Sequence, residues 1–288
     1  MPQPANLTAT VLLVCFSGAL AAFFLTAGGR WLAARRRTPG PPPLPQGKVA
    51  VWHYHAVDLL WMGFIVITYA TQSLGSAQLA DRPTEVSISA SGLIISMGFQ
   101  LVMAGMTVVV MAWRVGPTEW LGLRWREWPR VLLIAPLTVV AMWVLNIALL
   151  QSGYLKWMES LGVEQVQDSV KLLGETPDPV IFGLMAMAAV VVAPVCEEIL
   201  FRGYLYGAAK RFAGPWVAGI GSALIFAAAH GSLMPLPPLF ILGCLLVLSY
   251  EWTGSLWAPI AIHFCFNGAT VLLQLAVRFH LIPLPDSL

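Results

Sequence analysis

The segment 195–207, VCEEILFRGYLYG, sets two adjacent acids and an arginine inside a run whose neighbours are nearly all apolar. The run from Val180 to Ala208 exceeds the roughly 20 residues needed to cross a hydrocarbon core, and its charges sit well inside it. A charged side chain near the middle of a span costs about 2.5 to 3.5 kcal/mol even on lenient insertion scales, so such groups persist where they are paired or useful. On a helix, Glu198 and Arg202 stand at i and i+4 and share a face, while Glu197 is turned from Glu198 by about 100°. Glu198 is therefore expected to be neutralised by Arg202. Glu197 is left facing a cavity as a candidate general base. A purely structural ion pair would account for Glu198 and Arg202 but not for the second carboxylate.

The whole chain agrees with a lipid setting. Of its 288 residues 58% are hydrophobic and only 10% charged, and the mean hydropathy is +0.76; soluble domains carry roughly a quarter charged residues. Hydropathy marks spans near 7–28, 57–79, 87–112, 130–152, 179–208, 215–232, 236–252 and 256–279. The expected fold is an all-α polytopic transmembrane bundle of about eight spans. Residues 1–178 form N-terminal spans and linkers without an assignable role, and 179–280 form the core that carries the chemistry, in one structural domain. The net charge of +2 gives no reason to expect a nucleic-acid partner. Cys15, Cys196, Cys244 and Cys265 fall in apolar runs without metal-ligand spacing, and read as buried thiols.

Basic residues fall on alternate loops: Arg30, Arg35, Arg36, Arg37 and Lys48; Arg114, Arg124, Arg126 and Arg130; Lys210 and Arg211. Those loops are expected on the cytoplasmic side, and both termini on the other. The tract after Arg37, TPGPPPLPQGK, reads as an extended linker. WRVGPTEWLGLRWREWPR reads as a connector lying at the lipid interface. Glu251, and His53 and His55 beside Asp58, are expected to be interfacial.

The hairpin after the fifth span turns near Ala213 and Gly214. Glu197 lies about 16 residues before that turn and His230 about 16 after it, so on antiparallel helices rising 1.5 Å per residue they reach a similar depth. Small residues in FAAAH, Phe226–His230, let the two helices approach. The last span contributes HFCFN, His263–Asn267, whose His and Asn are i and i+4 and can donate to a developing oxyanion. Base, partner and oxyanion donors together suit water-mediated hydrolysis of an amide.

EEILFR as EExxxR, FAAAH as FxxxH and HFCFN as HxxxN, in that order and spacing, resemble the CPBP family of intramembrane proteases, which includes CAAX prenyl endopeptidases and bacteriocin-processing and self-immunity proteins. YEWTGSLWAPIAIHFCFN, Tyr250–Asn267, is similar to the family's final block, so the likeness covers about residues 179–270. Each motif alone is weak and the set is specific. The resemblance implies that Glu197 activates water with His230, that His263 and Asn267 stabilise the oxyanion, and that Glu198 and Arg202 hold the site together. It implies a membrane-associated peptide or protein substrate cut near the cytoplasmic side, and a multi-pass protein of a plasma membrane, here a bacterial inner membrane.

A metal-free glutamate mechanism is preferred to zinc held by Glu197, His230 and His263. A zinc-ligating histidine needs an acceptor for its other ring nitrogen, and Glu198, the spare acid nearby, is taken by Arg202. HExxH, GxSG and GxGD motifs are absent, which sets aside other intramembrane protease chemistries. Two further classes remain: a catalytically silent membrane scaffold or immunity protein of the same fold, and a proton-coupled transporter. Internal repeats would favour the transporter, and none is seen.

Overall fold

A computed structural model describes residues 4–36, 47–79, 89–125, 127–163, 173–174, 176–279 and 281. The proline-rich tract and most of the acidic stretch before Asp178 lie outside them. Among the described residues there are helices and no strands. The order is α1 (Pro4–Arg35), α2 (Ala56–Leu79), α3 (Ala90–Ala112), the short α4 (Pro117–Trp120), α5 (Val131–Gln151), α6 (Tyr154–Ser160), α7 (Pro179–Ala213), α8 (Pro215–Ala229), α9 (Leu236–Thr253) and α10 (Trp257–Arg278). Seven of these are long and apolar enough to cross a bilayer. The expected span near 215–232 is α8, whose 15 residues reach about 22 Å against the roughly 30 Å of a hydrocarbon core. Leu25, Ile95, Leu132, Leu133 and Leu272 are exposed on the bundle's outer surface, as lipid-facing positions should be. The protein is a multi-pass integral membrane protein.

The long α7 is the internal wall, and its local sequence sets its shape. It opens on Asp178, whose side chain caps Val180 N–H, with Pro179 in the first turn; proline there loses no helical hydrogen bond. Two stretches are π-helical, Ala188–Val192 and Glu198–Tyr206. Pro194 accounts for the first: it lacks an N–H, so the ladder must shift around it, and Ala193 N–H reaches five residues back to Ala188 O. The helix ends at Gly214 with φ 87°, a value that favours glycine, and Pro215 starts α8. Gly243 of α9 lets that helix meet α8, since a Cβ there would stand 3.0 Å from Ala223 Cβ.

Residues from Leu12 to Ile262 share one core cluster, and three side chains of α7 anchor what surrounds it. Tyr204 donates to Asp58 Oδ1 (3.0 Å), and Arg114 grips the same carboxylate through both guanidinium nitrogens at 2.6 and 2.5 Å. That hydrogen bond raises the Arg114 pKa above its ordinary value. Tyr206 donates to Glu251 Oε1 (2.6 Å), which is also paired with the buried Lys210. Lys210 Nζ further donates to Val49 O (2.9 Å).

The interfacial expectation for Glu251 is thereby corrected, and Lys210 is not a simple loop residue. Asp58, Lys210 and most of Glu251 are inside, because buried partners offset their desolvation. The connector before α5 is also not simply a surface segment. Trp120 is buried and donates its indole N–H to Gly203 O (3.0 Å), and Leu121 O accepts from Leu256 N–H (2.9 Å), whereas Trp113 and Trp128 are exposed.

Removing one partner of a buried pair leaves the other charge uncompensated. Arg114→Ala should therefore destabilise the detergent-solubilised protein by about 3 kcal/mol, and the Asp58→Asn, Arg114→Ala double variant by less than the sum of the singles. Thermal unfolding followed by circular dichroism reads both.

Candidate active site

Glu198 is the centre of the polar cluster within the bundle. It is fully buried on α7, and its Oε1 accepts from Arg202 Nη1 at 2.9 Å and from His263 Nδ1 of α10 at 2.9 Å. Arg202, also fully buried, donates from Nη2 to Gly243 O of α9 (3.2 Å). One carboxylate oxygen and one guanidinium thus tie α7, α9 and α10 together.

The cavity beside this cluster has a volume of about 350 Å³. It is lined at its polar end by Glu197, His230, His263 and Asn267, and elsewhere mainly by apolar side chains such as Leu93, Met185, Leu239, Phe266 and Val271. Glu197 Oε2 is buried without a hydrogen-bond partner. Glu198 and Arg202 do not line the cavity; they stand behind it. The structure therefore separates the adjacent acids, Glu197 to the cavity and Glu198 to the helix junction.

The two histidines are held alike. His230 follows the last residue of α8, and its Nδ1 lies 2.9 Å from Phe226 O. A carbonyl only accepts, so Nδ1 carries the proton and Nε2 of the neutral ring is an acceptor. His263 Nδ1 likewise donates to the Glu198 carboxylate, so its Nε2 carries a proton only when the ring is an imidazolium. The Phe226 ring lies edge-on to both, at centroid separations of 5.0 and 5.7 Å, and the Arg202 guanidinium carbon lies 4.3 Å from its centroid. Phe226 is the residue that sequence reasoning passed over: the first letter of FxxxH, given no role there, is the wall between the histidines and the arginine.

Asn267 Nδ2 donates to Ala189 O at 2.7 Å. Ala189 lies in the first π-helical stretch, where Ala193 N–H bonds to Ala188 O; the next donor in that register would be residue 194, a proline with no N–H. The carbonyl is left for the asparagine. One amide N–H of Asn267 is thereby committed to α7, and only the second could serve an oxyanion.

The expectation that Arg202 monopolises Glu198 is overturned, since Glu198 also accepts from His263. Both histidines have an acceptor for Nδ1, so the earlier reason for disfavouring zinc does not hold. The fit of a metal is decided by the donors themselves. Among the described residues no group of three His, Cys, Asp or Glu side chains is arranged to hold an ion, so Glu197, His230 and His263 share a cavity wall but not a coordination sphere, and no step is derived through a metal.

The class that this bundle and cavity suggest is matched in sequence. Residues 179–269 match the family described as type II CAAX prenyl endopeptidase Rce1-like, and the resemblance carried by the three motifs is borne out over that segment. Among curated relatives, the membrane-embedded CAAX protease MroQ of Staphylococcus aureus is 38% identical over 91 residues, 30% of this chain and 37% of the relative. The putative membrane peptidase YdiL of Bacillus subtilis is 33% identical over 92 residues, 32% of this chain and 38% of the relative. The uncharacterized protein YpbD of Bacillus subtilis is 33% identical over 126 residues, 42% and 60% of the two chains. The chain thus spans less than two thirds of the length of each. No solved structure matches it.

The two acids should separate in stability measurements. Glu198→Gln removes the counter-charge of a buried arginine and should cost about 3 kcal/mol. Glu197→Gln removes a buried negative charge that makes no ion pair among the described residues and should fall within about 0.5 kcal/mol of the parent or above it. Melting midpoints in one detergent compare them.

Proposed function

We propose that the protein is an intramembrane endopeptidase that hydrolyses a peptide bond of a membrane-associated protein or peptide. The observation that carries this reading is the buried, unpartnered Oε2 of Glu197 in a cavity shared with His230, His263 and Asn267, on the segment similar to CAAX prenyl endopeptidases.

In the proposed reaction a water bound at Glu197 gives it a proton and attacks the scissile carbonyl. His230 Nε2, fixed as an acceptor by the bond from Nδ1 to Phe226 O, takes the water's other hydrogen bond and aims the oxygen. Negative charge develops on the carbonyl oxygen of the tetrahedral intermediate. The second N–H of Asn267 donates to it, and so does His263 Nε2 when that ring is charged and balanced by Glu198. Glu197 then passes its proton to the departing amine as the C–N bond breaks. Arg202 and Phe226 act by position alone, holding Glu198 and the two rings. No metal is assigned a part in this scheme.

The alternative of a silent scaffold of the same fold would leave the membrane peptide pool indifferent to Glu197. Glu197→Gln should lower turnover about 10²- to 10⁴-fold, the usual contribution of a general base, while the protein folds normally. Comparing the membrane peptides of cells making the parent or the variant, and identifying what copurifies with Glu197→Gln, tests this; an unchanged peptide pool would count against peptidase activity. Strong chelators should leave turnover unchanged, and loss of turnover restored by zinc would reject the metal-free scheme.

A further inference from the structure

The bundle has two clearly different ends. At one, segments 47–49, 120–122, 210–214 and 254–256 come together: Lys210 Nζ bonds Val49 O, Leu256 N–H bonds Leu121 O, and a Cβ on Gly254 would stand 3.3 Å from Lys48 Cβ. A Cβ on Gly214 would stand 3.2 Å from an Arg30 guanidinium nitrogen. Arg30, Arg35, Arg36, Lys48, Arg114, Arg124 and Arg130 all belong to helix ends and connectors on this side. At the other end, Tyr154 Oη donates to Met234 O (2.8 Å), Ser73 Oγ to Ala228 O (2.6 Å) and Arg278 Nη1 to Thr176 O (2.9 Å). In the sequence, stretches 80–89 and 152–178 between the long helices hold Asp81, Glu85, Glu159, Glu164, Asp168, Glu175 and Asp178 against Arg82, Lys156 and Lys171. Positive charge is retained in the cytoplasm, so the basic end is cytoplasmic.

The cavity is built from the opposite half. Its walls come from the early turns of α3 and α9 (Leu93, Leu239), the early part of α7 (Met185), the late turns of α10 (Thr270, Gln274) and Leu173 just before α7. All of these lie towards the acidic end. The short α8 stops at His230, and where a full-length span would continue the chain turns at Gly231 with φ 71°. Towards the basic end Trp120, Lys210, Glu251 and Tyr206 are packed or paired, and the cavity of about 320 Å³ beside Tyr206 and Glu251 there shares no lining residue with the one that Glu197 lines. A cut near the cytoplasmic side, as the family resemblance implied, does not follow from this geometry.

We propose that the cavity is entered from the extracytoplasmic side, and that it takes an extended, largely apolar peptide segment presented from that side rather than a tail presented from the cytoplasm. The peptide half rests on the endopeptidase reading; the direction of access does not. Besides the apolar wall, Gln100 of α3 lines the cavity with its Oε1 buried and lacking a hydrogen-bond partner. That acceptor suits a backbone N–H of an extended chain, which carries one at every residue except proline.

The test replaces Cys15, Cys196, Cys244 and Cys265 by serine or alanine and introduces single cysteines as Thr270→Cys in the cavity, Lys156→Cys at the acidic end and Arg124→Cys at the basic end. A charged, membrane-impermeant thiol reagent is added to intact cells or to permeabilised ones. Lys156→Cys and Thr270→Cys should label equally in both, and Arg124→Cys only after permeabilisation. Labelling of Arg124→Cys in intact cells, or of Thr270→Cys only after permeabilisation or not at all, overturns the proposed access. An uncharged leucine- and alanine-rich peptide added outside should slow labelling of Thr270→Cys and not of Lys156→Cys; equal rates with and without it overturn the peptide assignment. None of these readouts requires turnover, so an inactive enzyme with the expected labelling would reject the endopeptidase reading and leave the direction of access standing.

Discussion

Glu198 holds an arginine and a histidine with one oxygen, and the rest of the site hangs on that arrangement. Arg202 and His263 both reach Oε1, from α7 and from α10, while Arg202 continues to the α9 backbone. In lipid, helices gain little from burying apolar surface against one another, so packing and polar contacts must choose their partners. A buried charge left without its counter-charge costs far more than the pair contributes, so Glu198 and Arg202 stay paired on α7, and a displacement of α10 would take from Glu198 the hydrogen bond that His263 supplies. The triad therefore fixes where the His263 ring lies, and with it the spacing between His263 and Asn267 on one side and Glu197 on the other.

Pro194 sets a second constraint from within the backbone. By removing one N–H it widens the turn ahead of the acids and leaves Ala189 O for Asn267. An asparagine four residues after a histidine would otherwise be free to rotate its amide. Anchored by one N–H, it keeps the other in a defined direction. A cavity can only be pre-organised for charge that appears briefly if its donors are held by something other than the substrate, and here a missing main-chain proton supplies the hold.

The sequence made some of this legible and not the rest. The i, i+4 pairs in EEILFR and HFCFN follow from helical periodicity, and the hairpin count placed Glu197 and His230 on one cavity. Those readings need only one helix or one turn. The His263 to Glu198 bond joins residues 65 positions apart, and the Asn267 to Ala189 bond joins residues 78 apart; periodicity carries no information about either. Glu251 was taken for an interfacial group because it lies near a span end, Lys210 for a residue of a cytoplasmic loop, and Asp58 was given no partner. Their burial comes from partners contributed by other segments: Tyr206 for Glu251, Tyr204 and Arg114 for Asp58, Val49 for Lys210. The Phe226 ring was invisible for a different reason, since a phenylalanine in an apolar helix has the same look whether it faces lipid or lies edge-on to two histidines.

The distribution of these polar groups gives the bundle a direction. Alternate side chains along a helix project to roughly opposite sides, and α7 uses this over Arg202, Tyr204 and Tyr206 to hold α9 and α10, then α2 with Arg114, then Glu251 with Lys210. Every one of these ties lies at Glu198 or nearer the basic end. Towards the acidic end from Glu197, α7 presents Ala193, Ala189, Ala188 and Met185 to the cavity, side chains that pack weakly and form no hydrogen bonds. The same helix is therefore clamped along one half and left with small, apolar faces along the other. The cavity that Glu197 lines opens along this second half, where among these α7 contacts the Asn267 bond to Ala189 O is the polar tie to α10.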